Sequence, residues 1–280
     1  MKLVRYGRPG REKPGMIDSD GRLRDLSEHV DDITPAVLAP ASLRKLKRLK
    51  AADLPAVRGT PRIGCPVAGI PNFIAIGLNY ADHAAEAGLK LPEEPIIFNK
   101  HLSCLSGPFD DVVLPSEAMK GDWEAELGFV IGTSAKNVDE KEALSHVAGY
   151  TIVNDVSERA YQIERKGQWV KGKSLDTFGP VGPWLVTTEE IPDPQRLKIW
   201  LDLNGKRVQD STTAQMVFPV AQLVSYLSKF MTLMPGDLVC TGTPAGVGLG
   251  MKPPRYLEAG DDMRLGIEGL GEQRQRVVRA

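Results

Sequence analysis

The chain has 280 residues, 42% of them hydrophobic and 25% charged, which is ordinary for a globular protein and enough to enclose a desolvated site. Its net charge of −1 offers no basic excess for phosphate backbones, which argues against a nucleic-acid partner. No apolar run approaches the roughly 20 residues that span a bilayer, the start MKLVRYGRPG lacks an apolar signal core, and three scattered cysteines (Cys65, Cys104, Cys240) fit reduced thiols; together these predict a cytoplasmic protein with no membrane association.

In chain order, Lys2–Tyr6 reads as a strand, and Gly15–Ile17 and Arg22–Leu26 flank the turn signal Ser19-Asp20-Gly21. A basic helical piece (Leu43–Lys50) and a proline-spaced connector (Leu54–Pro71) follow. Residues 1–68 are thus expected to form a small β-rich domain and linker, and 69–280 the main domain. From Asn72 onward, apolar runs recur at Phe73–Gly77, Glu126–Ile131, Val147–Val153, Leu185–Thr187, Lys198–Leu203 and Leu238–Thr241, with Asn204-Gly205 as a hairpin turn. Tyr80–Ala87 is helix-compatible, and Pro219–Met231 carries Val220, Leu223, Val224, Leu227 and Phe230 at helical spacing. Strands do not alternate regularly with long helices, so a β-dominated α+β fold is expected instead of a doubly wound sheet or α/β barrel.

In Trp123-Glu124-Ala125-Glu126-Leu127-Gly128-Phe129-Val130-Ile131, a period of two places Glu124 and Glu126 on one face. That face continues into Gly128 and Val130, so it reads as covered, and two close covered carboxylates repel unless a cation lies between them. Asp155, where the strand Val147–Val153 gives way to polar sequence, reads equally well as a third ligand or as a helix N-cap with Glu158 completing a capping box. An all-oxygen set without His or Cys suits Mg²⁺ or Mn²⁺ better than zinc.

His83 and Glu86 share a face if Ala81–Glu86 is helical, which makes them either a carboxylate-oriented general base or an ordinary charged surface. The stretch Leu89–Pro95 beyond them carries no chemistry that the sequence names. Gly167 to Ser174 matches the spacing of a phosphate-binding loop, but no apolar strand precedes it, and Gly179-Pro180 ends any helix after it, so that reading is rejected. Lys173 remains as a candidate for stabilising an oxyanion from a rigid loop. The glycine-rich Thr241–Gly248 offers amides and the Thr243 hydroxyl to a carboxylate.

Five stretches in order, IGLNYADHAAE, DWEAELGFVIG, VAGYTIVNDVSERAYQ, GQWVKGKSLDTFGPVGPWLVT and PGDLVCTGTPAGVG, resemble the fumarylacetoacetate hydrolase superfamily from about Asn72 onward. The resemblance implies a mixed β-roll, usually homodimeric, often with a small N-terminal domain. It implies Mg²⁺ or Mn²⁺ on Glu124, Glu126 and Asp155, water activation by His83 and Glu86, and Lys173 facing a bound oxo-acid. It further implies substrate contacts from Arg159, Gln162 and Thr243. Ala160 departs from the Asp that many relatives carry after the arginine, which bears on distal substrate contacts. The implied reaction is C–C hydrolysis of an acylpyruvate-type 2,4-dioxo acid, such as a 2,4-dioxo-3-deoxy sugar acid, to pyruvate and a carboxylic acid. Ureidoglycolate cleavage, oxaloacetate decarboxylation and dienoate isomerisation are the alternatives on the same fold, and a non-catalytic protein with a structural ion is the alternative of another class.

Overall fold

A computed structural model describes residues 1–88 and 90–280; Leu89, at the start of the stretch without nameable chemistry, lies outside them. The strand-rich sequence folds as a mixed α+β structure around two large sheets and a short antiparallel pair, Gly121–Asp122 with Ser157–Glu158. The larger, eleven-stranded sheet runs in the order Leu23–Asp25, Lys13–Ile17, Lys2–Tyr6, Gly179–Thr187, Val147–Asn154, Ala125–Ile131, Leu238–Cys240, Phe73–Gly77, Ile96–Lys100, with Ile63–Gly64 and Leu105–Ser106 pairing off this path. The smaller has five strands: Lys206–Thr212, Lys198–Leu203, Asp262–Ile267, Gly271–Arg279 and Val112–Leu114.

Every residue of Ala125–Ile131 and of Val147–Asn154 is buried, so the central strands are covered on both faces. Glutamines form a polar seam where the two sheets meet. Gln273 Nε2 donates to the carbonyls of Ile152 (2.8 Å) and Gly182 (3.0 Å), while Asn154 Nδ2 donates to Gln275 Oε1 (3.0 Å). These amides satisfy buried carbonyls that a two-sheet interface would otherwise leave unpaired.

The segment 1–68 does contain the expected strand and hairpin, but they extend the main sheet: Lys2 and Leu3 pair antiparallel with Val186 and Leu185. Leu3, Met16, Leu26, Ile33 and Leu38 are buried in the same continuous core as Phe129 and Ile152. The basic helical piece is the helix Pro40–Lys47, and the amphipathic helix spans Val220–Phe230 with Leu223, Val224 and Leu227 buried. The Asn204-Gly205 turn joins paired strands at Leu203↔Lys206, as its sequence predicts.

Candidate active site

Strand register gathers the carboxylates. Ala125 pairs with Asn154 in the antiparallel ladder, so the residues one step further out, Glu124 and Asp155, meet at its end. There the Asp155 N–H donates to the Glu124 carbonyl (2.9 Å). The alternative role for Asp155 is corrected by the same geometry: Ser157–Glu158 is a strand, no helix starts at Asp155, and no capping box forms. Glu158 turns its carboxylate to the amides of Met119, Lys120 and Tyr161. On the other side Gly128 pairs with Cys240, which aligns Glu126 with the loop beyond it, and the Gly242 N–H donates to Glu126 Oε2 (2.7 Å).

Two lysines grip Asp155. Lys173 lies in the short helix Val170–Lys173, not in a loop, and its Nζ donates to Asp155 Oδ2 (2.6 Å) and to Glu124 Oε2 (2.7 Å). Gly172 makes that placement possible: a Cβ there would lie 2.3 Å from the Glu158 carbonyl and 2.6 Å from the Gln162 nitrogen. Lys100, the last residue of Ile96–Lys100, holds its Nζ 2.6 Å from Asp155 Oδ1, an approach that misses hydrogen-bond geometry and so acts chiefly through charge. The same Nζ donates to the Lys173 carbonyl. Arg159 Nη1 lies 2.7 Å from Glu124 Oε1 and donates to Gln162 Oε1 (3.0 Å), while its Nε donates to Asp122 Oδ2 (2.8 Å).

Seven ionisable side chains are therefore buried together: the cations Lys100, Arg159 and Lys173, and the carboxylates Asp122, Glu124, Glu126 and Asp155. Burial works against the charge on Glu124, but Lys173 and Arg159 outweigh it and hold that carboxyl below the usual range. Glu126 goes the other way. Burial first, then the charges of Asp155 and Glu124, push its carboxyl well above the ordinary value. Lys173 keeps its proton more tightly than a free lysine, because Asp155 and Glu124 more than offset its desolvation.

His83 and Glu86 lie on the helix Ala81–Ala87, with Nδ1 3.3 Å from Oε2 and both side chains partly exposed. The helix is tied down at both ends. Ser211 Oγ donates to Asp82 Oδ2 (2.5 Å), and the Gly246 N–H donates to Glu86 Oε1 (3.0 Å). His83, Glu86, Glu124, Glu126, Arg159 and Lys173 all line one cavity of about 590 Å³.

The glycine-rich loop does bind carboxylates, but they are the chain's own. Gly242 donates to Glu126, Gly246 to Glu86, and Gly248 (2.7 Å) and Leu249 (3.0 Å) to Asp122. Thr243 lines the cavity, yet its hydroxyl donates to the Ala125 carbonyl (2.9 Å) and accepts from Gln209 Nε2 (2.8 Å). Its hydroxyl is committed to the wall.

Lys100, Asp122 and Cys240 belong to this centre and were not singled out from the sequence. Lys100 closes the apolar run Ile96–Phe98 at the end of an edge strand and is itself buried, a position where a lysine needs an anionic partner; a lysine ending an apolar run is the available signal. Lys100→Met is expected to destabilise the protein by about 3 kcal/mol, because it strips a buried carboxylate of a counter-charge. Urea unfolding measures this; a loss below about 1 kcal/mol would show that Lys173 alone suffices.

The residues fit a divalent cation. Among the described residues Glu126 accepts only the Gly242 amide and has no cation within ion-pair distance, and four buried carboxylates face three buried cations. Ligand atoms of Glu126, Asp155 and Cys240 lie within 4.8 Å of one another. Burial keeps the Cys240 thiol protonated far above its usual range, so the donors available to a hard ion are oxygens. Glu124 stands beside this group, its oxygens turned to Lys173 and Arg159.

A His–Glu pair and a buried carboxylate–lysine centre thus line one cavity of this β-rich α+β fold. The model for the fumarylacetoacetate (FAA) hydrolase C-terminal domain matches residues 72–278, and the chain belongs to that family. A relative from Burkholderia multivorans, which carries a provisional hydrolase name, is 60% identical over 276 residues, 98% of each chain. The solved fumarylacetoacetate hydrolase from psychrophilic Exiguobacterium antarcticum is 34% identical, covers 100% of both chains and superposes with a TM-score of 0.87. Maleylpyruvate hydrolase from Sphingobium sp. SYK-6, solved in complex with manganese(II) ion and pyruvate, is 27% identical with a TM-score of 0.83 and the same full coverage of both chains.

Proposed function

We propose that the protein hydrolyses the C3–C4 bond of an acylpyruvate-type 2,4-dioxo acid, with Mg²⁺ or Mn²⁺ held by Glu124, Glu126 and Asp155. The observation that carries this reading is that the His83–Glu86 pair and the carboxylate–lysine centre line the same cavity. The manganese and pyruvate bound in the maleylpyruvate hydrolase relative support it.

When bound, the ion supplies the positive charge that holds a 2-oxo carboxylate and steadies an enolate. The protein supplies the rest. Glu86 accepts from His83 Nδ1, which leaves Nε2 as the basic nitrogen that takes a proton from water. The oxygen of that water adds to the C4 carbonyl. Breaking C3–C4 then sends the bonding pair to the C2 oxygen as a pyruvate enolate, and C4 leaves as a carboxylic acid. The Lys173 ammonium, fixed by Glu124 and Asp155, is the chain's own charge available to that enolate. Proton return to C3 gives pyruvate and balances the water consumed.

The test is a panel of 2,4-dioxo acids, ureidoglycolate, oxaloacetate and dienoic acids, assayed after EDTA treatment and again with Mg²⁺ or Mn²⁺ restored. Pyruvate and a carboxylic acid in equal amounts, lost with EDTA and recovered with the ion, is the expected result. Glyoxylate or CO₂ as product would move the reaction to a lyase or decarboxylase. An ion that raises the melting temperature with no turnover on any member of the panel would make the site structural.

A further inference from the structure

We infer that the acyl half of the substrate is an apolar chain, not the polyhydroxylated chain of a sugar acid; this rests on the acylpyruvate reading above and names its substrate class. Away from the carboxylates the cavity is walled by Phe98, Ile163, Trp169, Val247, Leu249 and Met251. Trp169 is locked in that wall. Its ring meets Phe98 edge-on at 5.2 Å between centroids, and it seats on Gly77, where a Cβ would lie 2.5 Å from Cζ3.

What the wall lacks matters as much. No Ser, Asn, Asp or Tyr is among the described lining residues, and the one hydroxyl, Thr243, is already bonded on both sides. The amides of Gly242 and Gly246 are given to Glu126 and Glu86. Gln162 Oε1 is taken by Arg159. Arg159 Nη2 is buried without a partner, but Arg159 is held against Glu124, so that donor serves the reactive end of the cavity. Lys252 is exposed, and the other polar groups left on the wall, the Gln162 amide N–H and the Trp169 indole N–H, only donate, so they offer a substrate hydroxyl's own proton no acceptor. The hydroxyls of a sugar chain would leave water here for aromatic and aliphatic carbon, a loss of roughly tenfold in binding for each unpartnered hydroxyl. Methylenes in the same place gain about three- to fourfold each.

The experiment compares kcat/KM of the Mg²⁺-loaded enzyme for acetyl-, butanoyl- and hexanoylpyruvate with that for a 2,4-dioxo acid of equal length bearing hydroxyls along its acyl chain. The expected result is a rise of about threefold per methylene over the first carbons and a hydroxylated substrate about 100-fold below its alkyl counterpart. In Leu249→Ser, whose side chain is partly exposed and whose change leaves the core untouched, the hexanoyl-to-acetyl ratio is expected to fall several-fold. A hydroxylated substrate that matches or exceeds the alkyl series overturns the inference, as does a ratio unchanged in Leu249→Ser. If no 2,4-dioxo acid releases pyruvate, the reaction assigned above fails. Thermal shifts with 2-oxooctanoate against a polyhydroxylated 2-oxo acid of the same length then decide the pocket's preference on their own, a larger shift with the apolar acid upholding it.

Discussion

Replacing Glu126 with glutamine is expected to destroy ion-dependent turnover while leaving the ion-free protein as stable as the native chain, or more so. The two effects share one cause. Among the described residues Glu126 has a single hydrogen-bond donor and no counter-ion, and burial together with Asp155 and Glu124 raises its carboxyl well above the ordinary range. A folded-state value above the unfolded one means stability that is present below about pH 4.3, the unfolded glutamate value, and is lost as pH rises. Near neutral pH the ion-free protein therefore carries that loss, which a bound cation reverses and which the neutral amide of the Glu126→Gln variant never incurs. Activity should fall by more than the roughly 100-fold typical of losing an outer-shell partner. Scanning calorimetry with EDTA and with Mn²⁺ across pH 5–8 separates the effects. The native protein should melt higher with Mn²⁺, and Glu126→Gln should not respond. An ion-free variant melting several degrees below the native chain, or one keeping the full Mn²⁺ response, would refute this account of the site.

His83→Ala should divide the functions the opposite way. The Mn²⁺-induced rise in melting temperature should persist, because His83 sits on a separate helix and shares no hydrogen bond with Glu124, Glu126 or Asp155. Hydrolysis should fall about 10²- to 10⁴-fold, the usual contribution of a positioned base. The loss belongs in kcat, since the imidazole is assigned to water. Glu86→Gln keeps the Gly246 hydrogen bond through its amide oxygen but weakens the orienting charge on His83, so its defect should be smaller. Near-native turnover in His83→Ala would mean that the centre runs a reaction without an activated water, with decarboxylation or isomerisation as the readings to pursue.

Much of this site was legible along the chain. The two-residue period named Glu124 and Glu126 and marked their face as covered, and every residue of Ala125–Ile131 is indeed buried. The three-residue spacing of His83 and Glu86 became a helix pair. Other elements were hidden by their own chemistry. Gly271–Arg279 turns Gln273, Gln275 and Val277 inward, so polar residues occupy two of its core-facing positions and mask the alternation that marks a strand. Thr243 looked like a free hydroxyl because nothing near it in sequence reveals Gln209 or Ala125 as its partners.

The sequence by itself determined what depends on neighbours a few residues apart: the strand faces, the Asn204-Gly205 hairpin, the amphipathic helix and the absence of a phosphate loop at Gly167–Ser174. Only the tertiary structure decided which distant side chains meet. The register of Ala125 on Asn154 brought Asp155 to Glu124, pairing with Gly179–Thr187 drew Lys2–Tyr6 into the main sheet, and packing carried Lys100 and Lys173 to one aspartate. The reason is physical. Local propensity acts over a turn or a strand, whereas ladder register and buried charge pairing are settled by the whole core at once, where each buried polar group must find its partner.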